Sequence, residues 1–61
     1  MPNLTCKELT ALEESLGAEQ NLVKKFKALA GLCHDEKIKQ DLENMANRHQ
    51  QHANQLITFL Q

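Results

Sequence analysis

Polar and apolar positions alternate along the chain in steps of three and four. Leu9, Leu12, Leu16, Val23, Phe26, Ala30 and Cys33 keep this spacing, with Glu19 filling the one remaining place in the series. Such a heptad seam predicts one amphipathic helix, and Leu22 and Leu29 widen its apolar stripe on one flank. A second seam runs through Ile38, Leu42, Met45, His49, His52, Leu56 and Phe59, broadened by Ala46, Ala53, Ile57 and Leu60. No alternating polar/apolar stretch of the kind that marks a strand interrupts either seam.

The ends of both helices are written in the sequence as well. Thr5 and Glu8 form a Thr-x-x-Glu capping box, in which each side chain satisfies the other residue's orphan backbone N–H. Leu4 and Leu9 stand where a hydrophobic staple places its pair. The pattern breaks at Gly31-Leu32-Cys33-His34-Asp35. Asp35 then serves as the N-cap of the second helix, and Glu36 puts negative charge in its first turn. The expected fold is all-α: a single helical-hairpin domain over 1–61, with a helix over about 6–32, a loop at about 33–35 and a helix over about 36–60. Two helices of similar length joined by a short loop lie antiparallel.

Size and charge narrow the function. A chain of 61 residues leaves little room for an enclosed substrate site, because drug-sized pockets need roughly 300–1,000 Å³. A self-contained enzyme is therefore not expected. Seven Lys/Arg oppose eight Asp/Glu for a net charge of −1, and there are only two aromatics. That balance lacks the basic footprint of a nucleic-acid binder. The one basic cluster, Lys24, Lys25 and Lys27, follows Glu13, Glu14 and Glu19 and reads as a solvated face.

The longest apolar run, Ala28–Cys33, is far short of the ~20 residues that cross a bilayer. The N-terminal residues lack the basic start and apolar stretch of a secretory signal, so a cytoplasmic protein is expected. Cys6 and Cys33 would stand about 40 Å apart along one helix at ~1.5 Å per residue, too far to pair within the chain. Two free thiols fit a reducing compartment. Cys33 falls on the apolar seam, whereas Cys6 lies near a helix start that favours the thiolate.

Three of the seam positions are polar: Glu19, His49 and His52. Glu19 lies about 15 residues before the bend and His49 about 15 after it, with His52 one turn further on. The fold therefore gathers them in one layer near mid-height. A carboxylate in an apolar seam costs several kcal/mol unless it is paired or bound. Two readings stand. In one, Glu19 is hydrogen-bonded by His49 or His52 and the layer fixes register and oligomeric state. In the other, the three residues are metal ligands, since His49 and His52 at i and i+3 share a helical face opposite Glu19. One carboxylate and two imidazoles suit zinc or another first-row metal. His34, at the bend, reads as a solvated loop residue.

A lone two-helix hairpin rarely buries enough core to be stable. Leu22, Leu29, Ala46, Ala53, Ile57 and Leu60 still need cover, and two hairpins related by a two-fold axis would provide it as a four-helix bundle. A homodimer is the expected partner arrangement.

The segment Lys7–Leu16, then Glu19, then Cys33-His34-Asp35 and His49-Gln50-Gln51-His52, resembles the short spore coat-type proteins of endospore-forming bacteria. These are relatives of the coat F domain within the ferritin-like group of helical hairpins. The likeness extends from about Leu4 to Leu60. It implies a ferritin-like four-helix bundle, other coat or assembly proteins as partners, and incorporation into the spore coat. In ferritin-like proteins a lone Glu on one helix faces a Glu-x-x-His on the next, and two such halves hold two irons. Glu19 matches the lone Glu and His52 the His, but His49 stands where the motif has Glu. The resulting expectation is a non-enzymatic structural or assembly protein without a cofactor. The alternative is a metal-binding, rubrerythrin-like protein holding zinc or iron at Glu19, His49 and His52. A third reading is an adaptor that offers its apolar face to a different protein.

Overall fold

The computed structural model describes residues 4–61; the reading of Met1 to Asn3 lies outside them. Among the described residues the protein is all-helical, with α1 spanning Cys6–Leu32 and α2 spanning Glu36–Thr58. The capping box is formed in full. Thr5 N–H donates to Glu8 Oε1 at 3.0 Å and Glu8 N–H donates to Thr5 Oγ1 at 3.0 Å. Asp35 caps α2 by accepting from Ile38 N–H at 3.1 Å. The expected loop at 33–35 is the connection observed.

The far end of α2 closes earlier than the apolar pattern implied. Phe59 N–H turns back to the Leu56 and Ile57 carbonyls and Thr58 Oγ1 donates to Gln55 O at 2.6 Å. These short-range bonds satisfy the last carbonyls in a tightened turn, so Phe59 and Leu60 fall just outside the helix.

The two helices lie side by side as a hairpin whose Cα trace measures 47 × 15 × 11 Å. Its thinnest dimension is one helix, so each helix has a single protein neighbour. The core is correspondingly small: among the described residues Val23, Ala30, Ala46 and Ala53 are the buried apolar ones, and no large side chain is fully enclosed.

This placement corrects the expected seam of α2. Ala46 and Ala53, read as flanking residues, are only 1% exposed and lie at the centre of the interhelical contact. Ile38, Met45 and Phe59, read as seam residues, are 51%, 44% and 48% exposed. The physical reason is size. Two alanines one heptad apart let the backbones approach closely, and the closest line of approach becomes the buried one. Larger side chains one position earlier in the heptad are rotated out of it by about 100°. Leu42, His49 and Leu56 occupy the half-buried flank between these two rows. Leu12, Glu19 and Phe26 on α1, with Cys33 at its C-cap, hold the equivalent half-buried flank beside Val23 and Ala30.

Both flanks turn to the same side of the hairpin. One broad face is therefore apolar with a polar layer at its middle, and the opposite face carries Gln20, Lys27, Glu43 and Gln50. Lys24, Lys25 and Lys27 are all exposed, as expected for a solvated face. The surface salt bridge among the described residues is Lys37–Asp41, 2.8 Å, on α2.

Two outcomes test this packing. Ala46→Leu forces extra volume into the closest approach and should destabilise the protein by about 1–3 kcal/mol. At about 4–8 °C per kcal/mol for a domain of this size, that is a clear fall in thermal midpoint by circular dichroism. The Glu8 carboxyl is held below its ordinary value of 4.5 by the Thr5 backbone N–H and then by the Thr5 hydroxyl. A depressed acid stabilises the fold above its unfolded pKa and loses that contribution as pH falls through the lowered one. Glu8→Ala should lower the midpoint at pH 7, and the gap to wild type should narrow on acidification below 4.5.

Candidate metal centre

Glu19 is the middle residue of α1, and His49 and His52 lie close to the middle of α2. The hairpin brings the three together as the spacing from the bend requires. His49 Nδ1 is 2.7 Å from Glu19 Oε2 and His52 Nδ1 is 3.5 Å from Glu19 Oε1. The two histidines thus address different oxygens of one carboxylate. The nearer contact is a hydrogen bond in which the His49 ring N–H donates. The farther one is a looser approach.

Burial differs in the same sense. The Glu19 and His49 side chains are 21% and 24% exposed, whereas that of His52 is 46% exposed. Helical geometry explains the difference. His49 shares the flank row of Leu42 and Leu56, and His52 shares the outward row of Ile38, Met45 and Phe59.

Aromatic packing orients the rings. Phe26 stacks on His49 with centroids 5.6 Å apart and planes within 5°. His49 in turn meets the edge of His52 at 5.5 Å and 87°. Sequence reasoning placed Phe26 on the seam but did not assign it to the layer. The signal was present, since Phe26 follows Glu19 by one heptad in the same row. Among the described residues no fully buried side-chain nitrogen or oxygen lacks a hydrogen-bond partner.

One donor atom from each of Glu19, His49 and His52 lies within 4.8 Å of the others, a grouping able to hold a metal ion. Cys6 is exposed at the start of α1, Cys33 is half-buried at its end and His34 is exposed in the connection, so none joins this layer. Two open depressions of about 360 and 370 Å³ lie instead on the polar face, the first beside Lys27, Lys39 and Glu43, the second beside Gln20, Lys24 and Gln50. A hairpin one helix thick has nothing to roof them.

The chain matches no protein-family model, no curated protein and no solved structure. The arrangement is therefore judged on its donors. A ferritin-like di-iron centre uses four carboxylates and two imidazoles from its two halves. Two copies of this hairpin would offer two carboxylates and four imidazoles in the layer. Two carboxylates neutralise two divalent ions poorly and leave too few bridging oxygens, so the residues present do not fit that centre.

The geometry ranks the two histidines. His49→Ala removes a short hydrogen bond to a half-buried carboxylate and a stacked ring, and should cost about 1–3 kcal/mol in metal-free protein. His52→Ala should cost less than about 0.5 kcal/mol, as for other half-exposed positions. Urea unfolding of the two variants, compared at constant slope, measures the difference.

Proposed function

We propose that this protein is a non-enzymatic assembly module: a helical hairpin that pairs with a second copy through its apolar face to form a two-fold four-helix bundle. The observation that carries the reading is the exposed row of Ile38 and Met45 on α2 and Phe59 at its C-cap, joined on α1 by Leu29 at 41% exposure. These side chains share a face with half-buried Leu12, Leu22, Phe26, Leu42 and Leu56. A contiguous apolar face of this kind marks an interaction site.

Area supports a second copy as the occupant. The hairpin exposes 4814 Å², whereas a compact monomer of 6.9 kDa exposes roughly 4,000 Å². The surplus is close to the ~800 Å² that each partner contributes to a standard interface. The polar layer favours the same occupant. It lies at mid-height, so a two-fold axis either along the bundle or perpendicular to it sets the two layers opposite one another. Polar groups then meet polar groups, and leucines meet leucines. An unrelated apolar partner would have to provide its own polar match at that height. The resemblance to short spore coat-type proteins suggests the setting: synthesis in the cytoplasm, then packing with other coat proteins into the spore coat.

Light scattering of the purified chain at micromolar concentration is expected to give twice the 6.9 kDa chain mass. Met45→Glu places a charge on the exposed row without touching the contact inside the hairpin, and should convert the dimer to a monomer. A wild-type monomer, or a Met45→Glu dimer of undiminished affinity, would contradict the reading. Purification in stable association with a different protein, and aggregation when expressed alone, would favour an adaptor instead.

A further inference from the structure

The structure assigns Glu19, His49 and His52 as a mononuclear site for a divalent first-row metal ion of the zinc class, one ion per hairpin. This goes beyond the assembly reading and does not rest on it, because all three ligands come from one chain.

Four observations converge on the site. The donor set is one carboxylate oxygen and two imidazole nitrogens, a combination that zinc accepts with a fourth position left to water. The donor atoms already lie within 4.8 Å of one another without an ion. Bonds of 2.0–2.1 Å in a tetrahedron place donors about 3.3 Å apart, so side-chain adjustments of up to about 1.5 Å between donors would close the site. The histidine Nδ1 atoms approach different oxygens of the Glu19 carboxylate, His49 at 2.7 Å from Oε2 and His52 at 3.5 Å from Oε1. An ion would enter where the ring hydrogen now bridges His49 and Glu19, leaving the His49 proton on Nε2.

Rigidity is the third observation. All three residues stand on helices, two of them are half-buried, and the stack on Phe26 fixes the plane of the His49 ring. His52, 46% exposed, is the ligand with freedom to close the site. Access is the fourth. His52 is 46% exposed on the outward row of the broad face, so in a single hairpin the ion has an open path to the three donors.

The same donor set selects the ion. Nitrogen donors favour zinc, cobalt and copper over magnesium and calcium, which need oxygen-rich shells. With a single carboxylate, each site keeps one positive charge. That suits one ion held by one chain better than two ions sharing bridges.

The test uses the full chain, purified without a histidine tag and stripped with a chelator. Calorimetric titration with zinc chloride is expected to show one zinc per chain, with magnesium chloride giving no heat of binding. His49→Ala and His52→Ala should each weaken zinc binding by about 100-fold or more, and Glu19→Gln by about tenfold or more. His34→Ala, away from the layer, should leave affinity unchanged. Cobalt titration should give the intense visible absorption of a four-coordinate site, lost in His52→Ala. Because His52 is half-exposed, that variant should keep the wild-type helical circular dichroism and serve as the folded control. Absence of saturable zinc binding to wild type, or binding by a folded His52→Ala protein at wild-type affinity, would overturn the assignment. Mass measured with and without zinc separates the two proposals: a dimer that binds no zinc defeats only the metal site, and a monomer that binds one zinc defeats only the assembly reading.

Discussion

Ala46 and Ala53 draw α2 against Val23 and Ala30 of α1, and the width of that contact governs the rest of the molecule. Small side chains allow a close approach, but a close approach between two cylinders encloses, among the described residues, just four apolar ones. The leucines, phenylalanines and methionine flanking the contact are left partly in water. At roughly 25 cal/mol per Å² of apolar surface, each half-covered side chain forfeits part of the ~1.5–3 kcal/mol that full burial provides. The tight hairpin and the unsatisfied broad face are two consequences of the same packing choice.

The polar layer interrupts this face at its middle. Glu19 is too enclosed to be fully hydrated, and the hairpin compensates it with one short hydrogen bond and one looser approach from two histidines on the facing helix. An apolar partner alone would remove the remaining water from the layer and raise its electrostatic cost. A second identical layer, or a bound cation, offsets that cost in a chemically direct way. The features that argue for self-assembly and for metal binding therefore share one origin: a carboxylate that becomes harder to sustain as its apolar surroundings are covered.

Much of this was legible in the chain because the relevant signals are local. The Thr5/Glu8 box and the Asp35 cap each depend on residues within three positions, and both formed as read. The meeting of Glu19 with His49 followed from counting outward from the bend, since equal rise along two antiparallel helices leaves little freedom in register. The orientation of α2 about its own axis was not legible in the same way. Hydropathy gives the largest weight to Ile38, Met45 and Phe59, whereas close packing gives it to Ala46 and Ala53, and the heptad offset between the two rows is a single residue. The parallel stack of Phe26 on His49 depends on that rotation and on ring orientation, which no spacing rule encodes.

The central claim is that the broad face, with its polar layer, is covered by a second copy lying alongside the first. Small-angle X-ray scattering at several concentrations tests it most directly, because it reads mass and shape together. A face-to-face bundle predicts twice the 6.9 kDa chain mass with a longest dimension near that of a single hairpin, whose Cα trace is 47 Å long. A particle of one chain mass, or one of doubled mass and nearly doubled length, would contradict the account.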